Sequence, residues 1–276
     1  MRLPIRRIER ESGGAERLCW QVQSRKLPVL GRVDMISRGP VAAAPSDHMD
    51  WLNSFERWQD GRPLILNSDG IAPEYLIKAG FWPLMTPATL ALVPLTDAAT
   101  MRARLHQKWR NRLNRAEKSG LRVTRHPLSA NHWLLEAEAR QAKVKGYRSL
   151  PPALSVAFAR ANPGKAQLWE VSQRGEPLAA ALMLRHGAMA TWQMGHVTVE
   201  GRKRNAMNLA LFTAMQALAE QGHRVLDLGT INTQDAPGLA RFKLGTGAET
   251  HRLGGTWLHF GALAAIARHL PKRLAA

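Results

Sequence analysis

Apolar runs of strand length alternate along this chain with stretches whose apolar residues recur every three or four positions, the pattern of a mixed α/β or α+β fold. The short runs predict strands over Val29–Ser37, Leu64–Ser68, Leu90–Leu95, Ala166–Ser172, Leu178–His186, Ala190–His196 and Val225–Leu228. Helical spacing predicts helices over Asp47–Gln59, Ala98–Lys118, Asn131–Val144, Ala153–Arg160, Asn205–Gln221 and Gly261–His269. Gly61, Gly120 and Gly222 each fall just past a periodic stretch, where a residue tolerant of positive φ ends a helix. The order of elements repeats. Helix 47–59 leads to a strand and then to Ile77-Lys78-Ala79-Gly80, and helix 205–221 leads to a strand and then to Phe242-Lys243-Leu244-Gly245. Two copies of one supersecondary unit suggest a tandem duplication.

Between the copies lies the most charged stretch, Arg102 to Arg125, with nine basic residues against the single acid Glu117. Met101, Leu105, Trp109, Leu113 and Ala116 step by four or three, so one stripe is apolar and is expected to pack inward. Two readings of the basic remainder stand: a solvated face, or a face turned to an anion. The imbalance favours the second, because a solvated helix mixes signs to form i,i+4 pairs. On this reading Lys108, Arg110, Arg112 and Arg115 are candidate contacts for a polyanion. The whole chain agrees: 39 Lys and Arg against 21 Asp and Glu give a net charge of +18 over 276 residues. Nucleic acid, an anionic membrane face and phosphorylated substrates are the partners such a surplus attracts. With 45% hydrophobic residues the chain can bury a core, which excludes a disordered tail or a fibre.

Candidate chemistry is sparse. There is no G-x-S-x-G elbow, H-E-x-x-H pair, Walker loop or G-x-G-x-x-G after a strand. Ten histidines lack ligand spacing, so no metal and no cofactor is expected. The one cysteine, Cys19, forbids an internal disulfide, and a small buried hydrophobe is the better reading than a nucleophile. The longest apolar run, Trp257 to Ala267, is too short to span a bilayer and is broken by His259. The amino terminus has no apolar stretch behind its charges, so a cytoplasmic protein is expected. The turn VEGRKRN ahead of the helix at Asn205 has two readings. Helix amides beside Arg202, Lys203, Arg204 and Asn205 form a phosphate site, or Asn205 caps an ordinary basic turn. Asp69, Asp227 and Asp235 sit at strand ends, where either a proton acceptor or a turn residue belongs.

Three segments together resemble the Fem-type (FemABX) peptidyltransferases: ISRGPV (36–41), KWRNRLNRAEKSGL (108–121) and GLARFKLGTG (238–247). The resemblance runs over roughly residues 28 to 257 and implies tandem GNAT-like domains, each a mixed, mainly antiparallel sheet flanked by helices. The expected division is a first domain over 1–124, with 258–276 packing back on it, and a second over 125–257 carrying the active site. It implies transfer of an aminoacyl group from aminoacyl-tRNA to an amine of a peptide or peptidoglycan precursor. Lys243 would hold negative charge at the reacting centre, and Phe242 would shape the acceptor channel. Asp69 is the candidate proton acceptor, and Arg38 of the R-G-P turn joins the acceptor or polyanion contacts.

Departures from the family pattern carry expectations too. Asn205 and Met207 stand where GNAT acetyltransferases have glycines, which disfavours coenzyme A held in the usual way. Thr246 replaces a phenylalanine, which points to altered acceptor specificity, and there is no room for the helical arm of some members. Amide formation from an ester or thioester needs a neutral amine, a positioned attack and donors for the oxyanion, but no side-chain nucleophile. Two alternatives remain open at this point: an N-acyltransferase using acyl-CoA or acyl carrier protein, and a non-catalytic nucleic-acid-binding protein on the same fold. The weakly amphipathic carboxyl-terminal segment is expected to pack on a domain first, and to contact an anionic membrane second.

Overall fold

In a computed structural model, residues 5–12, 15–28, 31–54, 61–147 and 150–269 are described. Val29, Leu30, the end of the expected helix 47–59 and the last residues of the chain lie outside them. The chain divides into two compact units, residues 1–89 with 252–276, and residues 90–251. The division thus falls at Thr89/Leu90 rather than near residue 124.

The first unit contains β1 (Ile5–Ser12), β2 (Ala15–Leu27), β3 (Gly31–Ser37), β4 (Val41–Ala42), α1 (Pro45–Asn53), β5 (Leu64–Asn67), α2 (Pro73–Lys78) and β6 (Phe81–Met85). The chain returns to it at the end with β14 (Thr256–His259) and α10 (Gly261–Ala267). The sheet order is β1-β2-β3-β5-β14-β6, with β4 on β2. Every pairing is antiparallel except β3 with β5. Leu18, Trp20 and Val22 alternate along β2 and bury one face against Trp51 of α1, as expected for a half-buried strand.

The second unit contains β7 (Thr89–Pro94), α3 (Ala98–Arg104), α4 (Gln107–Glu117), β8 (Arg122–Pro127), α5 (Trp133–Lys145) and α6 (Pro152–Ala161). It continues through β9 (Ala166–Gln173), β10 (Glu176–His186), β11 (Met189–Val197), α7 (Val199–Lys203), α8 (Ala206–Glu220), β12 (Val225–Thr230), α9 (Pro237–Leu244) and β13 (Glu249–Arg252). Its sheet order is β13-β7-β12-β11-β10-β9-β8. The basic helices belong here because Met101, Leu105, Trp109, Leu113 and Ala116 bury their stripe in the same core as α8. The odd residues 179, 181 and 183 of β10 face that core, and Ala180 and Leu182 face a second one beneath α5. Helices therefore cover both faces of the sheet.

One expected helix, 98–118, is two. Leu105 is extended at the break, and the N–H of His106 donates to the carbonyl of Gly245 (3.0 Å). Arg110 closes the gap by donating to the carbonyl of Leu105 (3.2 Å).

Candidate active site

Strands β11 and β12 run parallel, joined by α7 and α8, and their ladder has three rungs, from Met189↔Val225 to Thr191↔Asp227. Beyond the last rung β11 continues to Val197 paired with β10, and β12 continues to Thr230, where it meets Leu90 of β7. The two strands thus lose each other as neighbours while both go on. Backbone groups that would have paired across the gap become donors and acceptors for something else.

The side chains at this divergence come from four elements. Asp227 holds the last rung, is 1% exposed, and its Oδ1 accepts from the N–H of Gly229 (2.6 Å). Lys243, in the last turn of α9, is 7% exposed and donates from Nζ to the carbonyl of Thr230 (2.8 Å). Burial pushes its ammonium below the ordinary lysine range, and the negative charge of Asp227 opposes part of that shift. Trp192 is the first residue past the last rung of β11. Its ring lies 6.1 Å from that of Phe242, which in turn lies 5.8 Å from that of Trp109 on α4. The indole N–H groups of Trp192 and Trp109 are buried without a hydrogen-bond partner among the described residues.

Two glycines make this packing possible. A methyl group on Gly195 would lie 2.7 Å from the Trp192 ring, and one on Gly245 would lie 2.7 Å from Trp109 Cδ1. Both exceed what a side chain tolerates, so the F-K-x-G spacing has a steric cause. Thr246 is buried and donates from Oγ1 back to the carbonyl of Lys243 (2.6 Å). It therefore faces its own helix end and lines no channel.

Of the expected donor-binding residues, Arg202 and Lys203 fall in the last turn of α7, and Arg204 and Asn205 in the turn that leads to α8. Thr198 caps α7 by accepting from the N–H of Gly201 (3.0 Å). Arg204 (2.8 Å) and Lys203 (3.4 Å) share the carboxylate of Glu200, while Arg202 is exposed with no ion pair among the described residues. Asn205 adopts a left-handed conformation (φ 56°), and Met207 is buried in the core. The position expected to need a glycine thus keeps a glycine's backbone, and the methionine side chain points away from the first amides of α8. The steric objection to a pyrophosphate at this helix end loses its basis.

On α4 the acid Glu117 is taken by Arg102, which also donates to Asn114 Oδ1 (2.9 Å). Lys108, Arg112, Arg115 and Lys118 are exposed and have no acidic partner among the described residues, whereas Arg110 is half-buried at the helix break. Asp69 and Arg38 belong to the first unit, Asp69 in the loop after β5 and Arg38 exposed at φ 50°. Asp235 is bound into a local turn with Asn232 (2.8 Å). Sequence reasoning missed Asp227 as a partner of Lys243 and missed Trp192 altogether. Its position one residue past a parallel rung carries no signal in the sequence.

His126, His132 and Glu170 bring ligand-type atoms within 4.8 Å of one another. His132 Nδ1 accepts from the N–H of Leu134 (3.1 Å), so its proton lies on Nε2, facing Glu170 Oε2 (3.1 Å). A neutral imidazole has one acceptor nitrogen, and the cap of α5 uses it. A metal would have to displace that cap.

The family model described as Acetyltransferase (GNAT) domain matches residues 96–252, more than half of the chain. The chain belongs to this family and is an acyltransferase of the GNAT type. Solved structures agree on the fold. A FemX structure superposes with a TM-score of 0.76 at 15% identity, covering 97% of this chain and 91% of that one. The L-PGS of Bacillus licheniformis gives 0.51 at 14% identity, with 93% and 86% covered. A tandem GNAT protein from the clavulanic acid biosynthesis pathway gives 0.51 at 12% identity, with 94% and 83% covered. No curated protein matches the sequence. Among the described residues no helix is long and apolar enough to cross a membrane.

Proposed function

We propose that this protein transfers an aminoacyl group from aminoacyl-tRNA to an amine of a peptide or peptidoglycan precursor. The observation that carries the reading is the opening past Thr191 and Asp227, where main-chain groups are left without a neighbouring strand and can serve a carbonyl. The amine attacks the ester carbonyl, the oxyanion is held by backbone N–H groups, and collapse releases the tRNA hydroxyl, which receives the proton. Lys243 acts from beneath, fixing the carbonyl of Thr230 and adding positive charge behind the oxyanion. Phe242 and Trp192 wall the acceptor side. The four unpaired cations on α4 favour tRNA, since each phosphate they neutralise adds salt-dependent affinity. Such a reaction belongs in the cytoplasm, where charged tRNA is available.

A second reading has its own support. The inward Met207 and left-handed Asn205 leave the start of α8 accessible to a pyrophosphate, so acyl-CoA or a phosphopantetheine on acyl carrier protein is the competing donor. Radiolabelled aminoacyl-tRNA, acyl-CoA and acyl carrier protein, each offered with amine acceptors, separate the two. Label should reach the acceptor from aminoacyl-tRNA, and K108E/R112E/R115E should lower the slope of log affinity against log salt by about 0.9 for each phosphate no longer neutralised. Transfer from acyl-CoA alone selects the second reading. Steep tRNA binding without transfer from any donor selects a binding protein.

A further inference from the structure

The junction of α5 and α6 presents large apolar side chains to solvent. Val144 is 85% exposed, Leu150 60% and Leu154 53%, with Tyr147 exposed between them. Single exposed hydrophobes are ordinary, but four within eleven residues, from the end of α5 to the start of α6, are not. The Tyr147 hydroxyl donates to Glu138 (2.8 Å), so its ring is held on the end of α5. Lys143 and Lys145 flank Val144, exposed and without an acidic partner among the described residues. Of the nearby acids, Glu138 is bound to Tyr147 and Glu136 to Arg140 (2.8 Å).

Beside the junction a trough of about 860 Å³ runs between the two helices, walled mainly by Leu135, Ala139, Ala153, Val156 and Ala157, with Glu136, bound to Arg140, at its edge. Arg160 reaches both this cavity and an adjoining one of about 270 Å³, and has no partner among the described residues. Walls made mostly of methyl groups favour a hydrocarbon chain, and the charged groups Arg160 and Glu136 suit the polar end of such a ligand more than its middle. Nucleic acid is a poor fit, because aliphatic Val144, Leu150 and Leu154 add nothing to the binding of a phosphate or a base. The basic helix α4 packs on the opposite face of the sheet.

We infer that the α5–α6 junction is a docking surface for an anionic phospholipid bilayer. Val144, Tyr147, Leu150 and Leu154 enter the headgroup region, Lys143 and Lys145 meet lipid phosphates, and the trough offers apolar surface to an acyl chain near Arg160. This surface is separate from the transfer site, and vesicle binding needs neither donor nor acceptor. Its failure would leave the transfer reading untouched.

The full chain, mixed with sedimentable vesicles of phosphatidylcholine with and without phosphatidylglycerol, should co-sediment with the anionic vesicles. K143E/K145E should weaken this by about fivefold for each lysine. V144D/L154D should weaken it about tenfold or more with unchanged thermal unfolding, since both side chains are exposed. K108E/R112E, with the same charge change on α4, should leave vesicle binding within about twofold. The inference is overturned by equal binding to both vesicle types, by undiminished binding of either junction variant, or by an equal loss in the α4 variant, which would reduce the effect to net charge.

Discussion

The two units carry the same crossover in two states. In the first, β3 and β5 are joined by α1 and stay paired from Asp34↔Leu64 to Ser37↔Asn67, the last residue of each strand. In the second, the ladder between β11 and β12 ends at Thr191↔Asp227 while both strands run on. The segments that follow are inverted as well. Ile77 is buried and Lys78 exposed, whereas Lys243 is buried and Phe242 partly exposed. One copy spends its parallel pair on closing a sheet, and the other leaves it open around a buried cation. The same sequence pattern, an apolar residue, a lysine, a spacer and a glycine, thus puts its lysine at the surface in one unit and buries it beside the parted strands in the other.

The sharpest test of that contrast exchanges the lysines. K243A should lower transfer about a hundredfold or more, because charge placed behind an oxyanion is among the larger catalytic effects. It should also cost about 1–3 kcal/mol in urea unfolding, since the buried carboxylate of Asp227 loses the opposing charge beside it. K78A should stay within about 0.5 kcal/mol of the parent and keep full turnover. Similar behaviour of the two variants would erase the distinction. A smaller effect is expected at the mouth of the opening. G195A forces a methyl group against Trp192 and should destabilise by about 1–3 kcal/mol while slowing transfer. S37A, at the closed end of the first unit's ladder, should change neither measurement appreciably.

The mildest difference is in acid. His132, His196 and His223, all in the second unit, are each held below the ordinary value of 6.5, with burial the leading cause. Arg185 Nε also donates to His223 Nε2 (2.8 Å), which fixes that ring as an acceptor. The unfolded chain takes up these protons first as pH falls through 6.5, so stability present above that value is lost below it. Thermal unfolding followed from pH 7.5 to about 5 should show the second unit's transition falling, and H223Q should reduce the slope. A slope unchanged in H223Q would remove this residue from the account.

Much of the scaffold was legible. The stripe Met101, Leu105, Trp109, Leu113 and Ala116 is wholly buried, and the strands at Leu64 and Val225 begin where their apolar runs begin. The helix break at Leu105 was not legible, because neither glycine nor proline marks it and its cause is a carbonyl at Gly245. Strand β1 was missed because its sequence, IRRIERES, is mostly charged. The direction of Met207 was misread for a different reason. Residues 206 to 212 of α8 are all buried, so periodicity assigns no outward face there. Phe242 and Lys243 stood out as residue types, but their geometry did not. The parting of two strands is a matter of which partner each residue keeps.

The position of β14 bears on how the protein is made. This strand lies between β5 and β6, yet the entire second unit is translated before it. Domains emerging from a ribosome ordinarily fold in order, amino-terminal first. Here the earlier-born unit waits with two unpaired inner edges until Thr256–His259 leave the exit tunnel, and the later-born one has every strand of its sheet in hand sooner. Nascent chains stalled before Thr256 would expose those edges, making them natural clients for chaperones that shield open β-structure.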